Sequence, residues 1–110
     1  MNSKNEQFKK GVLPMLVLHI ISKEKNYGYN IVTIFNSLCG NILSLKEGTL
    51  YPILYRLEEE GAITSEWSLP QNAGKPKKFY SITEKGEEIL KEQWQLWKEL
   101  ERMVNNFEKI

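Results

Sequence analysis

The spacing of apolar residues changes several times along this chain, and each change predicts a new element. From Gly11 to Ser22 the segment GVLPMLVLHIIS is apolar on nearly every side, which suits a central helix covered by its neighbours. Pro14 either occupies the first turn of that helix, where a missing N–H costs little, or kinks it there. After the polar break KEKN, a second helix is expected over Tyr27 to Leu38. Its Ile31, Ile34, Phe35 and Leu38 recur at helical spacing, and Cys39-Gly40-Asn41 supplies a stop. A third helix is expected to open at Ser44, a good N-cap with Glu47 three positions on, as in a capping box. Leu50, Ile53, Leu54 and Leu57 form its apolar face, and Gly61 ends it. Pro52 lies far inside such a helix, so either the helix begins later than Ser44 or its start is irregular.

The period then shortens. Ile63, Ser65, Trp67 and Leu69 alternate with Thr64, Glu66 and Ser68, and Lys78–Ile82 reads as a second strand. Between them PQNAGKP is a turn-rich connection with lysine at its edge. Three helices followed by a hairpin with a basic tip is the order of a winged helix-turn-helix, a mainly α fold with a β-hairpin wing. Thr83 is expected to cap a last helix whose positive end Glu84, Glu87 and Glu88 favour. That helix runs to about Phe107, roughly 36 Å at 1.5 Å per residue. Leu90, Trp97 and Val104 repeat every seven residues, as do Ile89, Leu96, Met103 and Ile110, with Leu100 and Phe107 between them. A stripe this long exceeds what a three-helix core can cover, and predicts a partner helix, most simply the same helix of a second copy. Residues 1–83 therefore read as a winged helix-turn-helix and 84–110 as a dimerisation helix, together one compact unit.

Composition sets the limits. A length of 110 residues with 41% hydrophobic positions supports one modest core. The net charge is only +1, but it is unevenly placed. Residues 1–56 carry seven Lys or Arg against Glu6, Glu24 and Glu47, and residues 70–83 add Lys75, Lys77 and Lys78 with no acid. Charge separated in this way builds a basic face on a nearly neutral protein. Cys39 is the one cysteine, which excludes an intramolecular disulfide, excludes a Cys-based metal site and fits a reducing compartment. Val12–Ile21 is too short to span a bilayer, and no small-residue cleavage site follows it. The expectation is a cytoplasmic protein that requires no cofactor or metal. Nothing marks an enzyme: His19 has no second histidine to work with and is expected to be buried and hydrogen-bonded. Glu58-Glu59-Glu60 reads as a solvated helix end, and neither a phosphate-binding glycine loop nor a nucleophile motif is present.

In a helix-turn-helix the second helix of the pair enters the major groove of double-stranded DNA with its N-terminal residues towards base edges. Lys46, Thr49, Tyr51 and Tyr55 are thus the candidates to face DNA, although both tyrosines also suit the edge of a core. Tyr27 and Tyr29 open the preceding helix, where backbone contacts are usual, and one of the two is expected in the core. Lys75, Lys77 and Lys78 form the wing and are expected to contact phosphates. Trp67, on a strand, reads as packing or a cover over the wing. Winged helices also serve as adaptors for other proteins, and a net charge near zero is compatible with that. An adaptor would lack the basic wing and the hydroxyl-rich third helix.

The segments GVLPMLVLHIISKEKNYGYNI, LKEGTLYPILYRLEEEGAITSEW and GKPKKFYSITEKG resemble the PadR family of transcriptional regulators. The resemblance covers nearly the whole chain, and the middle segment is its most specific part. In length the chain is similar to the short branch, with a single helix after the wing. The resemblance implies a homodimer built through that helix on Leu90, Leu96, Trp97, Leu100, Met103, Val104 and Phe107, operator binding, and usually repression. Some short-branch members bind flat aromatic compounds between subunits on a tryptophan that Trp97 matches. Trp94, three residues away on the same face, joins it as a candidate effector residue, and plain dimer core is the competing reading of both. Lys46 stands where many members carry Ser, which bears on operator preference, and Pro14 where many carry Glu.

Overall fold

Helix α1, Leu13–Lys23, lies at the centre, with Met15, Val17, Leu18, Ile20 and Ile21 all buried. Pro14 sits in its first turn, where no intrahelical N–H is missed. The computed structural model describes residues 10–40, 42–68 and 74–110. Residues 1–9, Asn41 of the expected stop, Leu69 and residues 70–73 of the wing connection lie outside them. After α1 come β1 (Asn26–Tyr27), α2 (Gly28–Cys39), α3 (Glu47–Glu59), β2 (Ile63–Ser68), β3 (Lys77–Ile82) and α4 (Glu84–Glu108). Ile31 and Phe35 of α2, Leu50, Leu54 and Leu57 of α3, Ile63 of β2 and Leu90 of α4 close around α1. Leu38, expected on the buried face of α2, points to solvent at the end of that helix. No helix among the described residues is long and apolar enough to cross a membrane.

The link from α2 to α3 departs from the expected capping box. α3 begins at Glu47, and its N-cap is Lys46, with extended backbone and no side-chain cap. Asn36 explains the shift. Its side-chain amide donates to the Leu45 carbonyl at 2.9 Å and its carbonyl oxygen accepts the Leu45 N–H at 2.7 Å. With both backbone groups of Leu45 held and its side chain in the core, the chain cannot turn helical at Ser44. Pro52 is accommodated inside α3 at the loss of one helical hydrogen bond. The far end closes as a Schellman motif: the Ala62 N–H reaches the Leu57 carbonyl at 2.9 Å and the Gly61 N–H reaches Glu58 at 3.0 Å. Gly61 takes the positive φ, 80°, that this turn requires.

The wing holds one more strand than the hairpin read from the sequence. β3 pairs antiparallel with β2, from Ile63 opposite Ile82 to Ser68 opposite Lys77, and on its other edge with β1, Asn26 opposite Tyr80. β1 is two residues long, too short to leave a pattern.

The start of α4 is fixed by Thr83. Its hydroxyl donates to the Gly61 carbonyl at 2.6 Å and accepts the Gly86 N–H at 2.9 Å, which caps the helix as expected. Gly86 is there because the helix crosses the end of α3 at contact distance: a Cβ at this position would overlap the Ala62 carbonyl and press on Ile82. Further along, the Trp94 indole N–H donates to His19 Nδ1 at 3.0 Å, with the two rings edge to face. Beyond Trp94 the helix leaves the core, and the molecule extends to 61 Å.

Alanine normally stabilises a helix interior over glycine by about 1 kcal/mol. At Gly86 the order is expected to reverse, because overpacking against backbone costs roughly 1–3 kcal/mol. Urea unfolding of Gly86→Ala checks this: the midpoint should fall, and an unchanged or raised midpoint would contradict the tight crossing.

Candidate nucleic-acid interface and the apolar helix face

The first residues of α2, the second turn of α3 and the wing meet in a cleft of about 520 Å³. Gly28 brings the two helices together, since the Tyr51 hydroxyl lies 2.6 Å from where a Cβ would stand. On the wing side the cations are laid against aromatic rings. Lys77 Nζ is 4.4 Å from the centre of the Tyr27 ring, and Lys78 Nζ lies 6.0 Å from Trp67 and 5.9 Å from Tyr80. Such contacts contribute roughly 0.5–1 kcal/mol at exposed sites and restrict where a flexible ammonium goes. Tyr27 in turn meets Phe79 edge to face at 5.4 Å.

The acids nearby are engaged. Glu58 accepts the Ser65 hydroxyl at 2.6 Å, and Glu66 lies 3.8 Å from Lys25. Among the described residues no carboxylate lines the cleft. Tyr80, buried at its floor, is held protonated: burial pushes the phenol above its ordinary value of 10.0, and Tyr51 and Glu58 add to the shift. Burial also pushes the Cys39 thiol up, away from the reactive thiolate.

Of the residues singled out in the sequence, Tyr27, Tyr29, Tyr51, Lys77 and Lys78 come together in this cleft from three separate stretches. Tyr27 is half-buried in the cleft wall and Tyr29 is exposed, so neither takes the core place expected of one of the pair. Lys46 and Thr49 lie exposed in the first turn of α3, outside the cleft, and Tyr55 follows Tyr51 one turn on, also exposed. Lys75 is exposed at the edge of the described wing.

The second surface is apolar. Leu96, Trp97, Leu100, Met103, Val104 and Phe107 are exposed along α4, and Ile110 is exposed just past its end. Together with Gly11, Val12 and Met15 at the start of α1, the middle of this stripe borders a cavity of about 630 Å³ that includes Trp97. Two residues read as part of this surface lie elsewhere. Leu90 is 7% exposed in the chain's own core, because α4 still lies over α1 at that point. Trp94 is partly buried, and its one donor is committed to His19 rather than turned towards the cavity.

A family model described as the Transcriptional regulator PadR-like family matches residues 17–92, from α1 through the wing into α4. The chain belongs to that family. The PadR-like chain is similar in structure to a PadR-like transcriptional regulator from Bacillus cereus strain ATCC 14579. The two are 38% identical with a TM-score of 0.78, covering 92% of this chain and 95% of that one. It is 33% identical over 79 residues to the negative transcriptional regulator PadR of Bacillus subtilis (strain 168), a match over 72% of this chain and 43% of that protein. The solved structure of Bacillus subtilis PadR in complex with operator DNA matches with a TM-score of 0.68 at 30% identity, over 76% of this chain and 46% of that one. The chain thus spans less than half the length of that relative. Membership makes it a transcriptional regulator and not an enzyme.

The candidates read from the sequence of this PadR-like chain leave out four lining residues of the cleft, Gly28, Trp67, Pro76 and Tyr80. Gly28, between two tyrosines, carries a signal that could have been read as close approach of another element. Tyr80 and Trp67 carry none, since strand periodicity does not say where the core ends. The raised Tyr80 phenol has a consequence at high pH. Its contribution to stability is complete below the unfolded value near 10 and is lost as the pH rises towards the higher folded value. Wild type is therefore expected to lose more stability than Tyr80→Phe between about pH 9 and about pH 11, measured by urea unfolding. Parallel losses in the two proteins would show that Tyr80 is not held this way.

Proposed function

We propose that this PadR-like regulator is a homodimer that binds double-stranded operator DNA with the cleft face of each subunit. The observation that carries this reading is the convergence of Tyr27, Tyr29, Tyr51, Lys77 and Lys78, a set of hydroxyl and ammonium donors without a competing carboxylate. Lys46, Thr49 and Tyr55 extend the set along the exposed side of α3, the helix whose first turns would enter the major groove. Lys75 would add to the phosphate contacts of the wing. The operator complex of the Bacillus subtilis relative supports the same partner.

The exposed stripe Leu96, Trp97, Leu100, Met103, Val104 and Phe107 is the proposed dimer seam, while Leu90 stays in the core of its own chain. Two such helices packed together would remove apolar surface from water at about 25 cal/mol per Å². The mode of action is repression, as the name of the Bacillus subtilis relative supports. Release would come from a small planar aromatic compound bound between subunits, stacked on Trp97 in the apolar cavity, with Trp94 behind it. Its binding would change the separation of the two recognition helices, and the coupling would run both ways.

Operator affinity should fall steeply between about 50 and about 200 mM salt, and Lys77→Ala and Lys78→Ala should each lower the salt slope by roughly one while weakening binding to all sequences alike. Fluorescence anisotropy with a labelled duplex measures both. A chain that shows no salt-dependent DNA binding would instead favour a protein-interaction adaptor. For the effector, tryptophan fluorescence titrated with planar aromatic compounds should be quenched in wild type and not in Trp97→Ala. Ligands that bind without changing operator affinity would refute release.

A further inference from the structure

Trp67 occupies a place that packing does not explain. On β2 it shares a face with Ile63, which is buried, and Ser65, which is half-buried, yet Trp67 itself is 66% exposed. The core ends before reaching it, and most of the residue stays open to solvent. A large exposed aromatic on a small domain gains little where it stands, and such groups mark contact surfaces when polar and charged groups surround them.

Its surroundings are specific. Trp67 stands opposite Lys78 in the β2–β3 register, and the ammonium of Lys78 lies between the Trp67 and Tyr80 rings at 6.0 and 5.9 Å. Trp67 forms one wall of the cleft whose other walls are Tyr27 of β1, Tyr29 of α2 and Tyr51 of α3. The lining offers two ammonium groups, several phenols and one indole N–H as donors, with no carboxylate. A polyanion with alternating charged and apolar parts matches that lining. The cleft has the volume of a small-molecule pocket, so it admits one sugar–phosphate strand and leaves the duplex outside.

We propose that Trp67 is a DNA-contact residue, its indole packed against a deoxyribose of the strand that Lys77 and Lys78 hold and its N–H donated to a phosphate oxygen. This rests on the DNA-binding reading above and adds to it an uncharged residue of the wing. The contact is independent of base identity, so it strengthens binding to every sequence without discriminating among them. It differs from a lysine contact in one measurable respect: an indole releases no counterion, so its removal leaves the salt slope unchanged.

The test compares wild type, Trp67→Ala, Trp67→Phe and Lys78→Ala by anisotropy titration of a duplex over a range of salt, with a thermal melt of each protein. Trp67→Ala should melt like wild type, bind DNA severalfold more weakly, and keep the wild-type salt slope. Trp67→Phe, which keeps a ring but loses the N–H, should fall between the two. Affinity of Trp67→Ala within twofold of wild type, while Lys78→Ala loses affinity, overturns the proposal and leaves the DNA-binding reading intact. A salt slope lowered by about one in Trp67→Ala means that the indole acts only by placing Lys78, and overturns the direct contact. A lowered melting temperature would make Trp67 a packing residue and overturn it too. Failure of wild type to bind any duplex removes both readings.

Discussion

The carbonyl of Ala62 accepts the Thr83 backbone N–H at 3.0 Å, while the Thr83 hydroxyl donates to the neighbouring Gly61 carbonyl at 2.6 Å. Three elements meet at this junction: α3 ends there in its Schellman turn, the wing strands begin and end there, and α4 starts there under the Thr83 cap. Gly86 lets α4 pass so close to Ala62 that no side chain fits between them. The relative position of α3, wing and α4 is therefore set by backbone contacts, which have little freedom to adjust. The cleft depends on this: Tyr51 from α3 and Lys77 and Lys78 from β3 can face each other only if helix and wing are held in register.

The same junction sends α4 out of the domain. Its first half is anchored by Leu90 in the core and by the Trp94–His19 hydrogen bond, and in its second half the apolar stripe from Leu96 to Phe107 is left exposed beyond the start of α1. His19 and Trp94 thus join α1 to α4 just where the apolar cavity beside Trp97 begins. In the proposed dimer, anything that shifts α4 acts on α1 through this bond and through the Met15 side of the cavity. α1 in turn packs against α2, α3 and β3, which carry the cleft residues. Coupling between the proposed ligand at Trp97 and the proposed DNA-facing surface would then need only the rigid motion of packed elements.

What was legible in the sequence is what has a period or a local signature. The apolar runs placed α1, α2 and α3, the alternation placed the wing, and Thr83 with three nearby glutamates placed the start of α4. The basic wing and the tyrosines led to the cleft. What was not legible depends on contacts between distant residues. Ser44 has every local mark of an N-cap, but Asn36 holds Leu45 extended, and nothing about Asn36 in the sequence announces that clasp. Leu90 and Trp97 share a heptad position, yet only Leu90 lies over α1, because the stripe does not reveal where the helix leaves the core. Trp94 looks like Trp97 on a helical wheel until His19 is placed beside it. β1 is too short for any pattern to betray it.

The central claim is that two copies of this chain present their cleft faces to one duplex. Hydroxyl-radical footprinting of a selected operator tests it directly, because each subunit shields its own stretch of backbone. The account predicts two equal protected patches related by two-fold symmetry on one side of the duplex, centred about 34 Å apart, one helical turn. A single asymmetric patch, or uniform cleavage at saturating protein, would contradict it.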